Sequence, residues 1–170
     1  RLAERNARVV NLSPLRDDVV PEAATEWLPL APNTDTAVML ALAHTLVTEG
    51  LHDREFLSRC TVGFDRFTPY LLGETDGQPK DAEWASRISE IPAERIQELA
   101  REMARSRTVV SVNWSVQRGD HGEQPYWMAV TLAALLGQIG TPGGGLGIGL
   151  SAIHGVGNPN PQAKWASLPQ

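Results

Sequence analysis

Two short runs of β-branched and apolar residues constrain this 170-residue chain more than anything else in it: Arg8 to Leu12 (RVVNL) and Thr108 to Trp114 (TVVSVNW). Neither has the strict alternation of a strand with one wet face. Runs of this kind suit strands covered on both sides, as in a parallel sheet. Ser13-Pro14 stops the first run. Trp27 to Leu30 is a second short strand, bounded by Pro29 and Pro32. Asn33-Thr34-Asp35 then offers three N-cap residue types in succession. Val38, Met39, Leu42 and Leu46 follow on one helical face, and Gly50 closes the helix.

Leu51 to Ser89 has no period of two and predicts short helices over Asp53 to Cys60, Phe64 to Leu72 and Asp81 to Ile88, with a turn at Asp76-Gly77-Gln78-Pro79. Pro92 is placed at the first position of a further helix, whose inner face carries Ile96, Leu99, Ala100 and Met103. After the Thr108 to Trp114 strand comes a polar loop, Ser115 to Gln124. Pro125 opens a helix, Tyr126 to Ile139, that is apolar nearly all round and so expected to be buried. From Gly140 onward, glycine and proline dominate without periodicity. The expectation there is a loop packed on other parts of a larger protein.

The order predicts the α/β class: part of an open, mostly parallel sheet with crossover helices and a helical insertion at about 51–90. Residues 1–140 form the partial α/β domain, and residues 141–170 a Gly/Pro-rich connection. The chain opens at Arg1 with no apolar leader and reads as a piece of a longer protein. No apolar run is long enough to cross a bilayer. A net charge of −5 disfavours a nucleic-acid-binding role. The single cysteine, Cys60, excludes an internal disulfide or a cysteine-rich metal or cluster site within these residues. It is expected as a buried structural thiol.

In open α/β sheets, ligands bind beyond the carboxyl ends of the strands. Three segments meet that description: Leu12-Ser13-Pro14, Pro32 to Asp35, and Trp114 to Gln124. In the second, Asn33 or Thr34 caps the helix, or the helix N-terminus faces a polar ligand. The paired oxygens of Asp35 suit two N–H donors on a guanine edge. In the third, Arg118 either holds a diphosphate bidentately or pairs with Glu123 or Asp120. Ser115 and Trp114 offer a hydroxyl, an amide and an apolar wall. His121 reads as a structural hydrogen-bonder, and no metal site is expected around it. The glycine run Gly143 to Gly149 follows a helix and opens a loop. It therefore lacks the strand-to-helix context of a dinucleotide fingerprint, and it also lacks the ending of a P-loop.

Trp114 to Met128 (WSVQRGDHGEQPYWM), Leu132 to Gly149 (LAALLGQIGTPGGGLGIG), Pro32 to Leu46 (PNTDTAVMLALAHTL) and Leu51 to Ala85 together resemble the molybdopterin oxidoreductases. The similarity is closest to the branch that reduces dimethyl sulfoxide, trimethylamine N-oxide and biotin sulfoxide. It implies a Rossmann-like cofactor domain of a multidomain enzyme and a molybdenum bis(molybdopterin guanine dinucleotide) cofactor. It also implies oxygen-atom transfer from an S-oxide or N-oxide substrate, with re-reduction by a cytochrome or other electron donor. The resemblance carries cofactor contacts onto Leu12, Ser13, Asn33, Thr34, Asp35, Trp114, Ser115, Gln117 and Arg118. Ser13 stands where relatives usually have Asp or Asn, and His154 where some have Asn.

No residue matches the serine that ligates molybdenum in this branch, and Ser115 belongs to a later loop. No catalytic residue or metal ligand is therefore assigned, and the isolated chain is expected to be inactive. The alternatives are a related molybdopterin enzyme with another substrate, or a non-catalytic nucleotide-binding scaffold. The compartment implied is the periplasm, with the cytoplasm as alternative.

Overall fold

The computed structural model describes residues 7–16 and 25–149. Strands β1 (Val9–Ser13) and β2 (Thr25–Pro29) run parallel, with Leu12 opposite Leu28 and Ser13 opposite Pro29. Strands β3 (Val109–Val112) and β4 (Gly145–Ile148) form a second parallel pair, with Val112 opposite Ile148. Between them lie the helices α1 (Asp35–Thr48), α2 (Arg54–Cys60), α3 (Phe64–Leu71), α4 (Ala82–Ser89), α5 (Ala93–Arg105) and α6 (Gln124–Leu135), and a 3-10 turn at Trp114–Arg118. The fold is thus mixed α/β, as expected. Among the described residues, however, the strands form two separate two-stranded ladders rather than one open sheet.

The core is helical. Helix α1 packs against α4, α5 and α6. It buries Ala37, Val38, Leu40, Ala41, Leu42, Ala43 and Leu46, so almost its whole circumference is covered. Its alanines let neighbouring helices approach closely. Each buried leucine contributes about 1.5–3 kcal/mol of transfer free energy. Helix α6 is equally apolar and buries Met128, Ala129, Leu132, Ala133 and Leu135. It also packs on β3 and β4, making β3–α6–β4 the crossover unit. Helix α5 is amphipathic and turns Ile96, Leu99, Ala100 and Met103 inward.

An ion-pair network holds the first ladder on α5. Arg95 Nε and Nη2 donate to the two carboxylate oxygens of Glu26 at 2.6 and 2.9 Å. Arg8 joins Glu26 at 2.6 Å and Glu102 at 2.9 Å. The two guanidinium groups pull the Glu26 carboxyl down to about 2, with the Arg95 hydrogen bond as the largest cause.

Residues 51–90 contain α2, α3 and α4 and no strand. Asp53 Oδ1 accepts from Phe56 N at 2.8 Å and Asp81 Oδ1 from Trp84 N at 2.8 Å, so each of these aspartates caps its helix. Asp53 N also donates to Leu135 O at 2.8 Å, tying α2 to the end of α6. Lys80 is almost fully buried yet completely satisfied. Its ammonium donates to Asp76 Oδ2 at 2.6 Å and lies 4.4 Å from the Tyr70 ring centre.

Several local expectations need correction. Pro92 occupies the N-cap position of α5, which begins at Ala93. Cys60 is exposed, because α2 buries Leu57 alone and its last turn faces outward. Among the described residues, strand β3 is not covered on both sides; Val109 is 48% exposed and Ser111 is exposed. The glycine-rich stretch does follow a helix, but it supplies a strand. Gly145 N donates to Thr108 O at 3.0 Å and Gly149 N to Val112 O at 2.9 Å. Strand β4 carries no side-chain signal because its entry demands glycine: Gly145 has φ +98°, and a Cβ there would lie 3.2 Å from Gln138 O. Gln138 fastens the same corner, accepting from Thr108 N at 2.6 Å and donating to Ser106 O at 2.8 Å.

Candidate functional site

The three predicted segments follow the carboxyl ends of β1, β2 and β3, and one close contact, Asn33 on Gly119, joins the second to the third. At the end of β1, the Ser13 carbonyl accepts from Trp27 Nε1 at 2.9 Å and from Leu30 N at 3.3 Å. Ser13 Oγ accepts from Leu15 N at 3.1 Å, forming a local turn. Ser13 is itself buried, and Leu12 packs against the core. Two residues earlier, the buried Asn11 Nδ2 has no hydrogen-bond partner among the described residues. Such an amide costs about 1–3 kcal/mol unless something outside these residues accepts from it.

The β2–α1 connection is a tight turn. Ala31 O accepts from Thr34 N at 3.3 Å and from Thr34 Oγ1 at 2.6 Å. Thr34 holds the N-cap position, but its hydroxyl is spent on this turn and does not cap the helix. Asn33 adopts φ +62°, a left-handed conformation that asparagine tolerates better than most residues. Its side-chain amide lies on Gly119: a Cβ there would overlap Asn33 Oδ1. This contact joins the second predicted segment to the third. Asp35 opens α1 half-buried, and burial shifts its carboxyl upward from the ordinary aspartate value.

Beyond β3 the chain does not form an open loop but winds into the 3-10 turn. Asn113 caps it, with Oδ1 accepting from Ser115 N at 3.1 Å. The Asn113 carbonyl accepts from Val116 N at 3.3 Å and from the Tyr126 hydroxyl at 2.9 Å. Gly122 folds back against the turn so closely that a Cβ would lie 2.5 Å from Gln117 O. Trp114 lies against Gly149 just past β4, where a Cβ would overlap the indole. Ser115, Gln117 and Arg118 are exposed. Arg118 makes no ion pair or hydrogen bond among the described residues, so the expected alternative pairing with Glu123 or Asp120 is not formed. The ring of His121 lies 3.9 Å from Glu123 Oε1 and 4.0 Å from Asp120 Oδ1. His154 and the rest of residues 150–170 lie outside the described residues.

Contacts link the end of β1 to β2 through Ser13 and Leu30, and the β2–α1 turn to the 3-10 turn through Asn33 and Gly119. Sequence reasoning missed Asn113, Gly119, Gly122 and Tyr126, whose roles in the turn come from long-range packing. Only Asn113, a capping residue type directly after a strand, left a readable signal. An open groove of about 810 Å³ lined by Val47, His52, Leu57, Val62 and Phe64 lies at the opposite end of α1 and includes none of the predicted residues.

Among the described residues, the polar groups here include one free cation and one half-buried carboxylate. Arg118 is an unpaired planar cation, and Asp35 is a half-buried carboxylate at a helix N-terminus. The Asn33 and Gln117 amides make no hydrogen bond among the described residues. No helix among the described residues is long and apolar enough to cross a membrane.

The molybdopterin oxidoreductase family matches residues 1–166. A biotin sulfoxide reductase of Cereibacter sphaeroides is 51% identical over the whole chain, which covers 23% of that protein. Trimethylamine-N-oxide reductase 1 of Escherichia coli (strain K12) is 57% identical over 75% of the chain and 15% of its own length. Acetylene hydratase from Pelobacter acetylenicus superposes with a TM-score of 0.61 at 25% identity, over 80% of this chain and 18% of that one. The chain thus spans less than a quarter of the length of these relatives. With a family match over residues 1–166 and a relative 51% identical across the whole chain, this chain belongs to the molybdopterin oxidoreductase family.

Proposed function

We propose that this chain is part of a molybdenum enzyme that reduces S-oxides or N-oxides, and that its strand ends hold the guanosine and diphosphate portion of a molybdopterin guanine dinucleotide. One observation supports the reading. The β2–α1 turn and the turn after β3, distant in sequence, meet where Asn33 lies on Gly119, and among the described residues Arg118 and the Asn33 and Gln117 amides make no hydrogen bond or ion pair. The names of the relatives, biotin sulfoxide reductase and trimethylamine-N-oxide reductase, support the substrate class.

When bound, the molybdenum cofactor supplies oxygen-atom transfer and two-electron redox capacity. This chain's residues bind and orient it. Arg118 offers a planar fork of donors matched to a diphosphate. Asp35 offers two acceptor oxygens to a guanine edge, and its partial burial strengthens such bonds by limiting competition from water. The first-turn amides of α1 add a positive end that favours negative charge. Asn33, Thr34 and Gln117 present polar groups around these two, and Ser13 shapes the first loop. Ser115 adds a hydroxyl and Trp114 an apolar wall. The reacting centre, its metal ligand and the electron-donor contacts are supplied by other residues of the enzyme, either in the periplasm or in the cytoplasm.

Asp35→Ala and Arg118→Ala in the complete enzyme are expected to lower both molybdenum and guanine content, measured on purified protein. Full occupancy in both variants would sink the assignment. A second reading, a related molybdopterin enzyme with another substrate, is favoured by the superposition on a hydratase, because the same fold accompanies a differently named activity. The residue at the metal-ligand position decides between them. Serine supports the reductase, cysteine or selenocysteine the second reading, and alanine a non-catalytic scaffold.

A further inference from the structure

We infer that Tyr126 is a positioning residue for the 3-10 turn that carries Trp114, Ser115 and Arg118. The inference rests on the cofactor-binding reading above and adds to it a residue that does not itself face the ligand. Tyr126 stands in the first turn of α6, a helix fixed in the core by its buried apolar surface. Its hydroxyl donates to the Asn113 carbonyl at 2.9 Å. That carbonyl also accepts from Val116 N at 3.3 Å, the bond that starts the 3-10 turn, while the Asn113 side chain accepts from Ser115 N at 3.1 Å.

Asn113 is thus the junction between β3 and the turn, and Tyr126 is the long-range side-chain tie from that junction to the core. Both the donor and its acceptor lie at the surface, so the bond adds little to global stability but restricts where the turn begins. Since Arg118 is exposed and makes no ion pair of its own, its placement depends on the turn that bears it. Removing the hydroxyl leaves Arg118 chemically intact and widens the range of positions it samples. Holding a ligand then requires re-ordering the turn, at an entropic cost that weakens retention.

The test uses Tyr126→Phe in the complete enzyme, which deletes one oxygen and keeps the ring. Cofactor-loaded protein is diluted into cofactor-free buffer, and release of the guanine nucleotide is followed with time. The account predicts release about fivefold faster, the worth of one ordinary hydrogen bond. The melting temperature of the cofactor-free protein should stay at the parent value. Asn113→Ala, which deletes the cap of the same turn, should also speed release. Thr131→Val removes a hydroxyl bonded to Trp127 O at 2.9 Å on the same helix and should leave release unchanged.

Unchanged release in Tyr126→Phe overturns the inference. So does faster release accompanied by an equal loss of stability in the cofactor-free protein, which would mark a merely structural role. If Asp35→Ala and Arg118→Ala lose cofactor while Tyr126→Phe retains it at the parent rate, only the positioning role fails. If those two variants keep their cofactor, the binding reading itself fails.

Discussion

Lys80 and Arg118 are both long cations on short connecting segments, yet the fold treats them in opposite ways. Lys80 lies among α3, α4 and the turn between them, 4% exposed, with a carboxylate at 2.6 Å, a carbonyl at 2.5 Å and two aromatic rings around it. Arg118 stands at the end of β3, exposed and without an ion pair or hydrogen bond among the described residues. A charge placed in the interior must be satisfied internally or the structure pays its desolvation cost. A charge left free at a strand end costs the fold nothing and remains available to a ligand. The helical region satisfies its charges internally, and under the proposed function the strand ends keep theirs for a ligand.

The sharpest break in this comparison is a core truncation. Leu46→Ala, at a site with no exposure, should cost about 2–5 kcal/mol in a denaturant titration, because both transfer energy and a cavity are involved. Lys80→Ala removes a satisfied buried cation and strands the carbonyl of Gln78. It should cost about 1–3 kcal/mol, while the protein that folds keeps its full cofactor content. Arg118→Ala should show the mirror image, with stability within about 0.5 kcal/mol of the parent and cofactor content reduced. A large stability loss in Arg118→Ala, or cofactor loss in Lys80→Ala at full folding, would erase the distinction between the two regions.

A smaller effect concerns the network that joins the first ladder to the core. Glu26 has its carboxyl lowered from an ordinary 4.5 to about 2 by Arg95 and Arg8. Because the folded value is the lower one, the stabilisation is complete above pH 4.5 and is lost as pH falls toward 2. With Glu26 only partly buried, solvent screening limits the contribution to about 1 kcal/mol. Arg95→Ala should flatten the acid limb of the stability profile between those values. An unchanged limb would show that the network does not tie β2 to α5.

How far the sequence reached depended on whether a feature was local. The helices α1 to α5 were legible from spacing: Val38, Leu42 and Leu46 share a face, and the helices placed at Asp53 and Asp81 begin one residue later, with those aspartates as their caps. Strand β4 was not, because Gly145 and Gly147 leave no side chain to read, and its pairing with β3 is a backbone property. The exposure of Cys60 and of Val109 was equally hidden, since both depend on what packs across from a short element. At the candidate site, residue types pointed to loops that do follow the strand ends. Only the folded chain shows Asn33 lying on Gly119, or Tyr126 reaching back to Asn113, because neither partner is near the other in sequence.

The most direct test of the central claim is a structure of the complete enzyme with its cofactor bound. The account predicts a diphosphate within hydrogen-bonding distance of Arg118, about 2.7–3.2 Å, and a guanine base whose N–H groups face the Asp35 carboxylate. A nucleotide seated elsewhere, for example in the groove beside His52 and Phe64, with Arg118 and Asp35 left in solvent, would contradict it.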